Sequence, residues 1–353
     1  MCNVQAQRLM NSEHSTPTLE DVAKLAGVST ATVSRCLNSP DRVVERTRRR
    51  VMNAVDTLGY TPNFGARVMA AKRTFTIGAI IPTMENAIFA RGLQAFQEEL
   101  HARGYTLLVS SSAYKPEVEE EQIKALVARG ADGLLLIGYD RDPSVYEYLK
   151  RQNVPALTAW AYSPDYEHPA IGFDNRAAMK LLTQEVLARG HREVGVISAI
   201  TKGNDRARER LHGNKEAVAE AGIYPLSLEV IETSYEIENG GDALEALLQR
   251  KPEMTAVMCS NDVLGVGALM RAKRIGIEVP RDLSITGFDD IELARIISPE
   301  LTTVHVPHRE MGQHAAIELT AMVEKTSAGK SEKLDSHLQI RESLGWARDG
   351  RHG

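Results

Sequence analysis

The sequence predicts an α-helical helix-turn-helix headpiece joined to an α/β core of two Rossmann-like lobes. Three observations carry this reading. Residues 18–38 hold two short amphipathic patterns broken at Gly27. From Thr76 on, apolar β-rich runs alternate with helical patterns, and the alternation runs twice. Charge is divided: residues 1–75 carry 11 Lys+Arg against 6 Asp+Glu, and the rest carries 31 against 41. A basic front on an acidic body concentrates attraction for phosphate at one end, although the whole chain is −5.

The 353 residues allow two or three domains. No apolar run reaches the roughly 18 residues of a membrane span, and the polar N-terminus has no secretory h-region, so no membrane contact is expected. Residues 1–17 read as a disordered extension. Cys2, Cys36 and Cys259 are few and distant, which points to a reducing cytoplasm rather than a disulfide framework or a zinc site.

The helix-turn-helix domain is expected over residues 18–62. Leu19, Val22, Ala23 and Ala26 form one apolar helical face. Thr18 and Asp21 have capping-box spacing, and Gly27 suits a left-handed C-cap. Ser29 caps the second helix, with Val28 stapled onto Val33 and with Val33 and Leu37 facing inward. Thr30, Ala31, Ser34 and Arg35 then face out. A second helix of this kind can present its N-terminal side chains to base edges in the major groove. Arg35 can address a guanine or a phosphate, and Thr30 and Ala31 a thymine methyl. On spacing alone, an ordinary helical hairpin with the same core fits equally.

The residue order is more specific than the spacing. Thr18-Leu19, Asp21-Val22-Ala23, Ala26-Gly27-Val28-Ser29, Thr32-Val33-Ser34-Arg35 and Leu37-Asn38 resemble the DNA-binding headpiece of the LacI/GalR (lactose and galactose repressor) family. The DNA-facing set this implies is Thr18, Ser29, Thr30, Ala31, Thr32, Ser34, Arg35 and Asn38, with Asn63 and Met69 further on. Val51, Met52, Val55 and Leu58 form a third helical face closed by Gly59. Arg46, Arg48, Arg49 and Arg50 crowd its first turns as a solvated face that can also steer toward phosphates. The family usually has a Ser before this helix where Val44 stands, so a cap and a phosphate contact are in question. Residues 63–75, after the breaker cluster 59–63, resemble the family's hinge helix and linker. The resemblance implies that this helix orders when two copies meet on DNA, with Met69 as the minor-groove wedge. A plain linker is the alternative.

In the core, 76–345, strands are read at 77–82, 106–111, 133–138 and 155–160, separated by helices to about 103, at 117–129 and at 144–152. A second round begins near Ala170: helix 175–189, strand 194–198, helix 206–221, a strand near 228–232, helix 240–249, strand 256–260, helix 262–275 and strand 284–288. Near-continuous apolar strands separated by helices mean parallel sheets covered on both faces, with ligands at the strand carboxyl ends. The resemblance adds a clamshell of periplasmic-binding-protein type crossed near Phe173, Thr303 and Leu334. Its N-lobe is 76–173 with 304–333 and its C-lobe 174–303 with 334–345, leaving a tail at 346–353.

Candidate effector residues fall just after strands. By resemblance, Asn86 and Phe89 approach the ligand, Arg210 is its clamp and Tyr235 its stacking aromatic. Trp160, ending the strand 155–160, suits stacking on a sugar ring or plain core packing equally. Asn261 can donate and accept to a hydroxyl, and Asp289 can accept from two. Asp262 and Asp290 read as caps. His305, His308 and His314 lack metal-ligand spacing and read as surface or crossover residues. No cofactor or metal is expected, since Walker A and dinucleotide glycine motifs are absent. Asp289-Asp290 diverge after a strand without a nucleophile, so no catalytic residue is assigned.

The resulting expectation is a bacterial, cytoplasmic, nucleoid-associated regulator. It binds a palindromic duplex as a homodimer, and a sugar or sugar acid between its lobes controls it allosterically. Residues 114–117, Tyr-Lys-Pro-Glu, are similar to those of sugar-acid regulators. Without leucine heptads after 339–345, a dimer is expected rather than a tethered tetramer. A transport-type sugar-binding protein or a sugar-processing enzyme would share the core but leave residues 18–70 unexplained.

Overall fold

The computed structural model describes residues 17–38, 40–61, 73–85, 88–222 and 228–348. They belong to two units, Met1–Thr74 and Phe75–Gly353.

The first unit contains α1 (Leu19–Ala26), α2 (Thr30–Asn38), a 3₁₀ turn (Pro40–Arg42) and α3 (Glu45–Leu58). Thr18 caps α1 reciprocally: Asp21 N donates to Thr18 Oγ1 at 3.3 Å, and Thr18 N donates to Asp21 Oδ2 at 2.9 Å. Gly27 ends α1 at φ 62°, a conformation that costs a glycine nothing. Val22, Val33, Cys36, Val51, Ala54 and Tyr60 close the core over which the three helices meet. Two details correct the sequence reading. Met52 is exposed and Ala54 takes the buried position on α3. Tyr60, read as part of a breaker cluster, is buried in this core. At Val44 no side chain caps α3.

In the second unit, β1 (Thr76–Ile81), β2 (Thr106–Ser111), β3 (Gly133–Ile137), β4 (Ala156–Ala159), β5 (Ala170–Gly172) and β11 (Glu332–Lys333) form a parallel sheet ordered β11-β5-β4-β3-β1-β2. Helices α4 (Ala90–Ala102), α5 (Pro116–Ala128) and α6 (Pro143–Gln152) connect its strands. A second parallel sheet, β7-β6-β8-β9, holds β6 (Val194–Ala199), β7 (Leu228–Thr233), β8 (Ala256–Cys259) and β9 (Ser284–Thr286). Its helices are α7 (Asn175–Ala188), α8 (Asp205–Glu220), α9 (Ile237–Arg250) and α10 (Asp262–Arg274). Short α11 (Leu293–Ile296) follows, and β10 (Thr303–His305) pairs antiparallel with β12 (His337–Gln339) beyond α12 (His308–Val323).

The central strands of both sheets are buried on both faces, which explains their unbroken apolar runs, whereas edge strands β2 and β7 are partly exposed. Ile77, Ala79 and Ile81 of β1 enter one core with Phe96 and Leu319, while Ile80 enters another with Ile123 and Leu149. Likewise Val257 and Cys259 of β8 face one core and Ala256 and Met258 another. This is the period of two expected of a strand packed on both sides. In each sheet the order reverses beside the first strand, β1 or β6, which opens a crevice at the carboxyl ends.

The sequence reading gave no helix between Thr303 and Leu334. Pro307 precedes α12, whose buried face is Met311, Ala315, Leu319 and Val323. Asp262 and Asp290 are not caps. Asn261 caps α10 through its Oδ1, 2.9 Å from Leu264 N. Asp262 is a buried carboxylate accepting from Thr303 Oγ1 at 2.6 Å and from Ile291 N at 2.8 Å. Asp290 pairs with Arg295, Arg341 and His305. Burial pushes the Asp290 carboxyl up, but these three bonds outweigh it and hold it below the usual range.

Candidate functional site

In the first unit, α2 offers one polar surface. Thr30, Ala31 and Arg35 are exposed and Ser34 is half-buried, while Val33 and Cys36 point inward. Ser29 is exposed, and its Oγ accepts from Thr32 N at 3.2 Å, which satisfies an orphan donor of α2. Thr32 is half-buried beside it. Thr18 is exposed, with its hydroxyl donated to Asp21. Arg35 makes no ion pair among the described residues, whereas Arg48 and Arg49 pair with Glu45 and Arg50 donates to Gly27 O. The side chain of Asn38, and all of Asn63 and Met69, lie outside the described residues.

In the second unit, segments after β1, β2, β4, β7 and β9 converge with the first turns of α8, while Asn261, after β8, does not line the cavity they form. Phe89, Trp160, Arg210, Tyr235 and Asp289, all named from sequence, line one narrow cavity. Ile88, Tyr114 and Arg206 complete its wall. Tyr114 and Tyr235, ring centroids 5.9 Å apart, also border a wider outer cavity of about 640 Å³. That size is in the range of small-molecule sites. Asn86 falls outside the described residues.

Arg210 is held from four sides. Its Nε donates to Asn175 Oδ1 at 2.8 Å, Nη1 to Ser260 O at 2.7 Å and Nη2 to Asp289 Oδ1 at 3.1 Å. The guanidinium also lies 3.8 Å over the Phe288 ring. Asn175 in turn donates to Trp160 O at 3.0 Å, tying the clamp to the aromatic wall. Asp289 is buried with Oδ2 unpaired among the described residues. Burial raises its carboxyl to about 6, against the opposing pull of Arg210. An acceptor fixed this way is costly unless something donates to it. The amide Nδ2 of Asn261 is buried and unpaired in the same sense.

Trp160 serves both roles the sequence left open. It is buried and edge-on to Phe89, centroids 5.4 Å apart, yet it lines the cavity. Its Nε1 donates to His308 Nδ1 at 3.0 Å. Indole nitrogen is only a donor, so His308 carries its proton on Nε2, which donates to Asp289 O at 3.1 Å. Burial depresses the imidazole to about 4, keeping it neutral. His308 is therefore not a surface histidine. Trp160 at φ 62° and Asp289 at φ 104° sit in the left-handed region, strain that the surrounding contacts sustain.

Four residues of this network were not assigned to the effector site from sequence: Tyr114, Asn175, Arg206 and His308. Arg206 lies four residues before Arg210 on one helix face, a legible signal. Asn175 and His308 have no sequence signal, because only folding brings them beside Trp160. Among the described residues no cluster of three His, Cys, Asp or Glu could hold a metal, and no helix is long and apolar enough to cross a membrane.

Residues 18–63 match the profile of bacterial regulatory proteins of the lacI family, and residues 183–344 that of the periplasmic binding protein-like domain. The HTH-type transcriptional regulator GntR of Escherichia coli K12 is 30% identical over 87% of this chain and 92% of its own length. The Lac repressor dimer bound to operator and the anti-inducer ONPF superimposes with a TM-score of 0.82, at 26% identity, over 94% of this chain and all of that one. The complex of the transcriptional regulator CelR with cellobiose gives 0.68 at 28% identity, over 93% of this chain and 99% of that one.

Proposed function

Because this chain belongs to the LacI family of bacterial regulatory proteins, a family of DNA-binding transcriptional regulators, we propose that it is a dimeric repressor whose grip on a palindromic operator is set by a small polyol bound in the core cavity. Each α2 enters a major groove and offers Thr30, Ala31, Ser34 and Arg35 to base edges, with Ser29 and Thr32 nearer the backbone. The setting is the bacterial cytoplasm, on the nucleoid.

The observation that carries the effector reading is the unpaired Oδ2 of Asp289, buried in a cavity walled by aromatic rings. A ligand hydroxyl donates to it, Arg210 holds its partner oxygen in place, and the rings cover the apolar faces of a sugar. The dimer is supported by edge strand β2, where consecutive Leu108 and Val109, one on each face, are exposed. Ligand binding shifts lobe closure and so the spacing of the two headpieces. A coupling of about 1–3 kcal/mol changes operator affinity about 5–150-fold.

The test is a fluorescence-anisotropy titration of inverted-repeat duplexes with and without a panel of sugars and sugar acids. Release of DNA on adding ligand is expected. Tighter binding would make the ligand a co-repressor, and equal affinity for random and inverted-repeat DNA would sink the reading.

A further inference from the structure

The two arginines of the cavity are not equivalent. Arg210 spends its donors on the protein: Asn175, Ser260 and Asp289 take Nε, Nη1 and Nη2. Arg206 does not. It is buried, lines the same cavity, and among the described residues gives one N–H, from Nη1, to Asp205 Oδ1 at 3.0 Å. A guanidinium has five N–H donors and no acceptor.

The group is also fixed in place. Asp205 is anchored across the crevice by Tyr139 N, which donates to its Oδ2 at 2.6 Å. A Cβ on Gly138 would stand 2.1 Å from Arg206 Nη1, so the backbone after β3 fits closely against the guanidinium. Arg206 is thus a planar cation held at the cavity wall with most of its donors unanswered.

From this we infer that Arg206 reads an anionic group on the effector, so that the ligand is a polyol bearing a carboxylate or a phosphate monoester rather than a neutral sugar. The inference rests on the effector reading above and sharpens it. A neutral hydroxyl answers one donor and brings a proton of its own, whereas an oxyanion accepts only and can take two parallel N–H bonds. The cavity lining supplies both kinds of partner for such a molecule. Asp289 Oδ2 needs a donor, which a hydroxyl supplies, and Arg206 needs an acceptor, which the anion supplies. Arg206 and Arg210 are balanced in charge by Asp205 and Asp289, so what would hold an anion is the set of Arg206 N–H groups that the protein does not use rather than a net charge.

Calorimetric titration of the full-length protein tests this with three six-carbon probes in each of several stereochemical series: the aldonate, the aldose and the aldose 6-phosphate. One anion is expected to bind about tenfold or more tightly than its aldose, and which one does so identifies the anion as carboxylate or phosphate. In Arg206→Gln that preference is expected to fall toward one, and Arg206→Lys to retain part of it. An aldose binding as tightly as both anions overturns the inference while leaving the effector reading intact. So does parallel loss of aldose and anion in Arg206→Gln, which would mark a purely structural arginine. Binding of no polyol at all overturns both. The wild-type comparison decides the matter even if Arg206→Gln folds poorly.

Discussion

His308 shows how one side chain can carry several constraints. Trp160 can only donate to it and Asp289 O can only accept from it, so a second proton has no place. Its folded value, about 4, lies below the ordinary 6.5. Between those values the unfolded chain takes up a proton that the folded chain refuses. The histidine's contribution to stability is therefore present above about 6.5 and lost as pH falls toward 4. Asp289 has the opposite sign: its folded value, raised from 3.8 to about 6, gives a contribution that is lost as pH rises through 6. In His308→Gln both hydrogen bonds can be kept while the histidine titration disappears. Between pH 7 and pH 4, the wild type is expected to lose up to about 3 kcal/mol relative to this variant, read by denaturant melts at each pH. Parallel pH profiles would mean that His308 titrates normally. Val44 offers a simpler case. It is 75% exposed at the start of α3, where no side chain caps the helix. Val44→Ser is expected to stabilise the first unit by about 0.5–1 kcal/mol, visible as a higher melting temperature for that unit in full-length protein.

At the scale of elements, the central strands were legible because both their faces are buried, whereas the short β5, β10, β11 and β12 went unread. The run from Leu134 to Leu136 reads the same whichever core a side chain enters, and the expected boundaries fall within a residue or two of the observed ones. Helix α12 was equally legible in its 311, 315, 319, 323 face and went unread, with Pro307 standing just before it as its N-cap. Its crossing with α4 was not legible. Gly312 lies against Gly92, where a Cβ would stand 2.0 Å from Gly92 O. Gly312→Ala must push the helices apart and is expected to cost about 1–3 kcal/mol, measured by urea denaturation. Unchanged stability would show that the crossing is looser than its geometry implies. Trp160 packs against Gly92, so the same variant is expected to weaken effector binding.

At the scale of the whole molecule, reading a palindrome requires two copies. The double substitution Leu108→Glu with Val109→Glu places like charges on the exposed edge strand β2. It is expected to convert the proposed dimer to a monomer by sedimentation and to reduce affinity for an inverted repeat more than 100-fold, since one headpiece then binds without its partner. A double variant that still sediments as a dimer would move the interface elsewhere. The charge division between residues 1–75 and the rest likewise predicts operator affinity that falls steeply with salt.

Sequence alone determined the local order of this protein. Caps, helical faces and strand runs depend on neighbours a few residues apart, and their periodicities are written in the chain. It also named Asp289, because strand carboxyl ends are predictable from that order, while Arg210 and Tyr235 were named through the family resemblance. What only the tertiary structure decided is how those groups are committed. Arg210 engages all three of its nitrogens with the protein, Arg206 only one, Trp160 hangs on His308 across 148 residues, and one oxygen of Asp289 is left without a donor among the described residues. Hydrogen-bond satisfaction is a property of groups brought together from distant parts of the chain, and no pattern within one segment encodes it.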